Sequence, residues 1–263
     1  MPTAFLSAAR SVVGLVRSGN EDSALLHSRL IAVADGMGGH AGGEVASSIA
    51  IKTLSSLTTL LDNPDIDSDS IEDLLLNSLD TIDSEINRSA KADFDLTGMG
   101  TTLTALMLYG DSAHPKVALL HVGDSRCYRL RGNTLLQMSH DHTVLQELLD
   151  KGGVSADEAN AHPQRSLLTQ AIMGEGSLSP VLTVFDVKPQ DRFLICSDGL
   201  SGVISEKELK LGMKVADLND ALKKLIDTTL AAGAPDNVTI ILATVGETTE
   251  PLSLTFLGAA TDE

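Results

Sequence analysis

Four apolar runs in this chain stop or start at an aspartate. Ile31-Ala32-Val33-Ala34 stops at Asp35-Gly36, Leu119-Leu120-His121-Val122-Gly123 at Asp124-Ser125, and Phe193-Leu194-Ile195-Cys196-Ser197 at Asp198-Gly199. In mirror image, Asp236-Asn237 opens the run Val238-Thr239-Ile240-Ile241-Leu242. Singly, each has a plain explanation, because Asp-Gly is a common turn and every strand must end. Together they describe strand ends able to converge on one edge of a two-sheet core. Carboxylates cannot crowd together ionised without compensation: either their pKa values rise or a cation sits among them. All-oxygen ligands suit hard ions such as Mg2+ and Mn2+, whereas the seven His include no HExxH or similar spacing for zinc. Several carboxylates in one cleft can bridge two ions and lower the pKa of a shared water. The segment Arg17-Ser18-Gly19-Asn20-Glu21-Asp22 adds an arginine, a two-pronged donor matched to phosphate oxygens. In isolation that arginine reads as a surface ion pair with Glu21 or Asp22.

The elements that must position these residues follow from the apolar patterning. Leu25–Ala34 reads as a strand, and 43–61 turns helical. The loop 63–69 has alternating acids like a calcium loop, but Ser70 stands where Gly should and Leu76 where Glu should, so it reads as a helix-capping loop. Ile71, Leu74, Leu75, Leu79, Ile82 and Ile86 form one helical stripe, and Leu218, Ala221, Leu222, Leu225, Ile226 and Leu230 a second. Strands are expected at 101–109, 117–122, 125–130, 134–138, 181–187, 193–197 and 238–245, with loop and short helix over 139–180. Successive adjacent strands predict antiparallel sheets whose outer faces the amphipathic helices cover, an α+β chain. No repeat or linker composition divides it. One domain over 1–247 is expected, followed by a tail over 248–263 that lacks a clean period and is free to flex.

Composition excludes several classes. The 263 residues exceed what a single packed core requires, and 43% hydrophobic content with 22 Gly and 8 Pro is that of a globular protein. Aromatic residues make up 3% with no Trp, so stacking on nucleic-acid bases lacks material. Against 19 Lys+Arg stand 36 Asp+Glu, and a net charge of −17 repels a phosphate backbone or an anionic lipid surface. Cys127 and Cys196 form no CxxC pair, and neither begins a CX5R loop, since Asn133 and Gly202 occupy the sixth places after them. They are expected as buried free thiols. Residues 3–9 are thin for a signal peptide, and the longest uncharged run, 96–110, is shorter than the roughly 20 residues of a membrane span. A soluble cytoplasmic protein is expected. No P-loop occurs, and Gly36-Met37-Gly38 has Ala41 where a third glycine of GxGxxG would fall.

An ordered set of motifs carries a family resemblance. It runs through Arg17–Asp22, Val33-Ala34-Asp35-Gly36-Met37-Gly38-Gly39-His40, Gly43-Glu44-Val45-Ala46-Ser47, Gly98-Met99-Gly100-Thr101-Thr102 and His121-Val122-Gly123-Asp124-Ser125-Arg126. It continues through Asp141-His142-Thr143, His162-Pro163, Cys196-Ser197-Asp198-Gly199-Leu200 and Asp236-Asn237-Val238-Thr239. Over about residues 10–245 the chain resembles the metal-dependent serine/threonine protein phosphatases of the PP2C (PPM) family, the bacterial members in particular. The resemblance implies a four-layer α-β-β-α sandwich of two antiparallel sheets flanked by helix pairs, with metals in a channel at one end. It implies Mn2+ or Mg2+, two ions in the core site and a third beside them. Asp35 would bridge two ions, with Asp198 and Asp236 on the first and the Gly36 carbonyl on the second. Glu21 and Asp22 would hold metal-bound waters, Asp124 with Asp198 the third ion, and Arg17 the phosphate. A metal-bridging hydroxide would attack phosphorus in line, without a phosphoenzyme. The stretch 141–180 matches the flap beside the cleft, and the implied partners are phosphorylated proteins made by a cognate Ser/Thr kinase, met by a monomer.

The chain departs from the family at three places. Val12 precedes Gly14 where many relatives carry Asp, and Gln170 stands at a flap position where Arg is expected. Met37 replaces the His that serves eukaryotic members as general acid. Leaving-group protonation then falls to His40, His162 or a metal-bound water. Two further readings stand beside the phosphatase: a pseudophosphatase serving as a phosphoprotein-binding regulatory module, against which the intact set Asp35, Asp198 and Asp236 argues, and a phosphatase of small phosphomonoesters or of one pathway's phosphoprotein.

Overall fold

Along Leu30–Ala34 every side chain is buried, yet successive residues meet different neighbours. Leu30, Ala32 and Ala34 pack against helices, while Ile31 and Val33 pack against a second sheet. Leu194 and Cys196 alternate with Phe193 and Ile195 in the same way. A strand covered on both faces reads as a continuous apolar run rather than an alternating one.

A computed structural model describes residues 3–38, 41–61, 70–110, 112–154, 167–176 and 178–261. One sheet has the order β1-β11-β10-β7-β8, from Thr3–Val12 (β1), Arg126–Arg131 (β7), Thr134–Gln137 (β8), Arg192–Cys196 (β10) and Val238–Glu247 (β11). The other has the order β12-β2-β3-β5-β6-β9, from Asp22–Leu26 (β2), Leu30–Met37 (β3), Leu103–Tyr109 (β5), Lys116–Val122 (β6), Val181–Asp186 (β9) and Thr255–Gly258 (β12). The two-residue strand Gly100–Thr101 (β4) pairs with β3. The strand pairings are antiparallel.

Helices Gly42–Ser55 (α1), Leu57–Leu61 (α2) and Ser70–Ala92 (α3) bury Ala50, Ile51, Leu54, Leu75, Leu79 and Ile86 on the outer face of the second sheet. On the other side, Asp198–Ser201 (α5), Glu206–Met213 (α6) and Leu218–Ala231 (α7) bury Leu200, Leu209, Met213, Leu222 and Leu225 against β7, β10 and β11. Between the sheets lie Phe5, Ile31, Val33, Leu106, Leu119, Phe193, Ile195 and Ile241. This is the expected α+β sandwich of four layers. Val144–Asp150 (α4) is a short helix within the stretch 139–180. Both cysteines are buried free thiols. Among the described residues no helix is long and apolar enough to cross a membrane.

Three expectations change. The strand expected over 25–34 is a hairpin of β2 and β3, turned at His27-Ser28-Arg29, residues without a Gly, Pro or Asn signal. Arg29 steadies the turn by donating to Leu108 O at 3.3 Å and Leu61 O at 3.1 Å. The apolar start of the chain is β1, paired along its length from Thr3↔Glu247 to Val12↔Val238. Part of the stretch read as a free tail is β12, an edge strand on β2 from Thr255↔Leu26 to Gly258↔Ser23. The acids of the calcium-like loop, Asp65, Asp67 and Asp69, lie outside the described residues.

The end of β12 touches the site directly. Ala259 N–H donates to Asp22 O at 2.8 Å. Gly258, at φ +67, leaves no room for a Cβ, which would overlap that same carbonyl. Gly132, in the β7–β8 turn at φ +57, has nothing within 4 Å of such a Cβ. Gly132→Ala therefore costs only the left-handed backbone conformation, roughly 1 kcal/mol. Gly258→Ala adds a backbone clash and is expected to cost about 1–3 kcal/mol more. Urea denaturation of the two variants checks the difference; equal midpoints would refute the close approach.

Candidate metal centre

Asp22 on β2 and Asp35 on β3 are register partners, so one rung of the hairpin carries two carboxylates. The β3 backbone is fixed around Asp35 by Thr102: Asp35 N–H donates to Thr102 Oγ1 at 3.0 Å, and Thr102 N–H to Asp35 O at 2.9 Å. Asp198 opens α5 with one residue between it and the end of β10, and Asp236 stands two residues before β11 begins. Asp124 sits in the β6–β7 turn. Because β10 and β11 lie in one sheet and β2, β3 and β6 in the other, these five residues meet only where the same ends of the two sheets come together.

Their electrostatics record the crowding. Burial, reinforced by Asp22, Asp198, Asp124 and Asp236, holds Asp35 well above the usual carboxylate range. Asp22 is pushed up to about 7 by burial, against hydrogen bonds from Thr239 and Ser197, with Asp198 and Asp236 raising it further. Asp124 rises to about 7 through burial, Asp198 and Asp141, with Arg126 opposing. Asp198 is raised by burial and Asp236, while a hydrogen bond from Asp35 partly offsets them. Glu21 is raised by burial, with Arg17 opposing.

Arg17 stands at the rim, about half exposed. Its Nη2 donates to Asp236 Oδ2 at 2.7 Å, and Nη1 lies 4.0 Å from Glu21 Oε2. Asp236 rather than Asp22 is thus the arginine's main partner, across 219 residues of chain. The arginine-bearing loop is held by a residue whose part the sequence did not reveal. Buried Asn237 donates from Nδ2 to Val13 O at 2.9 Å and Gly19 O at 2.8 Å, and its Oδ1 accepts Glu21 N–H at 2.8 Å. Ser197 is a second such residue, donating to Asp22 Oδ2 at 2.8 Å and accepting Thr239 N–H at 3.0 Å. Ser47 on α1 donates to Glu21 O at 2.6 Å, and Gly36 N–H reaches the same carbonyl at 3.2 Å. In the sequence Ser197 and Asn237 appear only as motif neighbours of Asp198 and Asp236, with nothing to show what they hold. His40 and His162 lie outside the described residues.

The donor set fits a hard divalent cation. It is made of oxygen, its carboxyls are raised by mutual repulsion and burial, and Asp22 Oδ1 is buried without a hydrogen-bond partner. As placed, the carboxylates are neighbours rather than a closed shell: among the described residues no three His, Cys, Asp or Glu side chains are already gathered to hold an ion. Asp236 is turned to Arg17, and Asp35 to Asp198. A cation would replace both contacts with a stronger attraction.

The profile of the family described as Protein phosphatase 2C matches residues 20–243. Serine/threonine protein phosphatase PstP of Mycobacterium tuberculosis is 42% identical over 242 residues, which cover 90% of this chain and 44% of that protein. The chain therefore spans less than half the length of this relative. Serine/threonine phosphatase stp of Listeria welshimeri is 34% identical over 238 residues, covering 87% of this chain and 91% of that one. The crystal structure of the PstP catalytic domain in complex with two manganese ions superposes with a TM-score of 0.83 at 38% identity, covering 93% of this chain and all of that one.

The raised carboxyls set a pH dependence for the metal-free protein. A carboxyl whose folded pKa exceeds its unfolded value makes the native state bind more protons, so stability falls as pH rises toward the folded pKa. His121, pushed down to about 3 by burial and His142, and His142, lowered by burial, act in the opposite sense. They do so only below the unfolded histidine value of about 6.5. Between pH 6.5 and 8 the melting temperature of EDTA-treated protein is therefore expected to fall, and Mn2+ to remove most of the slope. Asp198→Asn, which deletes one repelling charge, should melt higher than wild type without metal and gain less from Mn2+. A flat or rising metal-free profile, or a metal-free variant less stable than wild type, would contradict the crowding.

Proposed function

We propose that this chain, which belongs to the protein phosphatase 2C family, is a metal-dependent phosphatase that hydrolyses phosphoserine and phosphothreonine in proteins. The observation that carries the reading is the meeting of Asp22, Asp35, Asp124, Asp198 and Asp236 at one sandwich end beside Arg17. Asp35, Asp198 and Asp236 would hold one Mn2+ or Mg2+, and Asp35 with the Gly36 carbonyl a second. Glu21 and Asp22 would orient waters around the pair, and Asp124 with Asp198 would hold a third ion. When bound, the ions supply Lewis acidity, lowering the pKa of a shared water so that hydroxide is available for in-line attack on phosphorus.

The chain's own residues do the rest. A dianionic phosphate approaching a protein of net charge −17 is repelled over most of the surface. Arg17 offers a half-exposed, planar set of donors beside the acidic cluster, able to turn from Asp236 to the phosphate oxygens. Asn237 and Ser47 hold the loop that carries it, so the guanidinium is presented with little ordering left to do. The serine or threonine oxygen needs a proton as it leaves, for which His40, His162 and a water are the available sources. The substrates are phosphoproteins made by a Ser/Thr kinase, and the relatives' names support that class.

EDTA should abolish turnover of p-nitrophenyl phosphate and of a phosphothreonine peptide, and Mn2+ should restore both; full activity after chelation would refute the reading. Arg17→Ala removes a phosphate contact, so KM is expected to rise about tenfold with a smaller fall in kcat. Asp198→Asn should lower kcat by about a hundredfold or more. Steady-state kinetics separate the two roles, and identical profiles would refute the division. Asp124→Ala should keep the first two Mn2+ sites in a calorimetric titration while turnover drops sharply. Loss of all tight binding, or near-normal turnover, would contradict the role given to Asp124.

A further inference from the structure

Helix α3 buries one acidic residue in its apolar stripe. Asp83 lies among Leu79, Ile82 and Ile86, 7% exposed. A carboxyl in such a stripe is costly unless hydrogen-bonded. Both of its oxygens accept from one loop: Gly174 N–H donates to Oδ1 at 2.8 Å, and Gly176 N–H to Oδ2 at 2.9 Å. One turn further on, the Asn87 side-chain amide donates to Gly174 O. Gly174, at φ +77, lies directly on the helix, where a Cβ would come within 2.6 Å of the Asn87 backbone nitrogen. Both polar backbone groups of Gly174 are therefore fastened to α3.

That loop leads back to the metal centre in three short links. Two residues before Gly174, Ile172 is fully buried and exchanges both backbone hydrogen bonds with Thr101, at 3.0 and 2.9 Å. Thr101 belongs to β4, a strand of two residues that pairs with Gly36 and Met37 on its other side. Thr101 Oγ1 donates to Asp35 O at 3.0 Å, and the adjoining Thr102 bonds both the N–H and the C=O of Asp35. A two-residue strand has almost no rigidity of its own. Its place is set by its pairing with β3 on one side and Ile172 on the other, and Asp83 holds the chain two and four residues beyond Ile172.

We propose that Asp83 is a positioning residue for Asp35, acting through Gly174, Gly176, Ile172 and Thr101. Its kinetic consequence rests on the phosphatase reading; its structural and metal-binding consequences do not. Asp35 is pressed by four other carboxylates of the cluster, Asp22, Asp198, Asp124 and Asp236. A displacement of a fraction of an ångström in its backbone changes how it can share a cation. Remote residues that orient ligands typically change metal affinity by about 10–100-fold when removed.

The test uses the full chain with two substitutions, Asp83→Asn, which keeps one acceptor oxygen, and Asp83→Ala, which keeps none. Hydrogen exchange at the Thr101, Ile172, Gly174 and Gly176 amides should accelerate in the order wild type, Asn, Ala, while exchange in β10 and β11 stays unchanged. The calorimetric Kd for Mn2+, measured well below the melting temperature, should weaken in the same order, by about tenfold for Ala. With p-nitrophenyl phosphate, kcat should fall along the series at constant KM. A purely structural role would lower the melting temperature without moving the Mn2+ Kd of the folded protein. Unchanged Mn2+ affinity and unchanged exchange at Thr101 would overturn the proposal, and if Asp83→Ala does not fold, Asp83→Asn decides by the same measurements. A wild-type protein that binds Mn2+ but hydrolyses nothing would refute the phosphatase reading and leave the exchange and Kd series to decide this one.

Discussion

Desolvated like charges govern this molecule. Asp22, Asp35, Asp124 and Asp198 are each raised first by burial and further by neighbouring carboxylates, Asp236 among them. Such an assembly opposes folding wherever its members ionise. The compensation comes from layers far from the charges. Three apolar clusters, two under helices and one between the sheets, supply burial whose free energy grows with area and is indifferent to direction. The carboxylates occupy strand ends because that is where a strand buried on both faces can first present a polar group.

Polar supports then restrict how the crowded groups relax. Ser197 holds one oxygen of Asp22 and leaves Oδ1 without a partner. Thr102 fixes the backbone of Asp35 on both sides, and its hydroxyl is within 2.7 Å of Ser125, next to Asp124. Arg126, after Asp124 and Ser125, forms a two-pronged ion pair with buried Asp141, which ties the Asp124 turn to the chain leading into α4. That tie is continued by His142 N–H to Gly123 O at 2.8 Å. Such networks add little net stability, but they leave few alternative geometries. A site that must receive cations and a phosphate needs that restriction more than it needs stability.

The legible parts of the sequence were those whose signal is local. The stripes of α3 and α7 and the continuous apolar runs of β5, β6, β10 and β11 are each contained in a single element, and the structure has them within a few residues of their expected bounds. α6 carries a local signal of its own, the capping box of Ser205 and Glu208 at its start. β1 and β12 carried none, because both owe their strand form to a partner, β11 for one and β2 for the other. The turn between β2 and β3 was hidden for a similar reason, since Arg29 is held there by carbonyls of Leu61 and Leu108.

The sequence by itself determined the family, the α+β layering and the identity of the acidic residues, because motif order, apolar period and residue type are all written along the chain. Tertiary structure alone decided which of those acids press on one another, since Asp22 and Asp236 are brought together by sheet packing and not by spacing. It also decided that Arg17 pairs with Asp236, that Asn237 holds the loop beneath it, and that Asp83 fastens a distant loop to α3. Each of these is a contact between residues dozens to hundreds of positions apart. Hydrogen bonds act over about 3 Å, and only the folded chain sets which groups come within that reach.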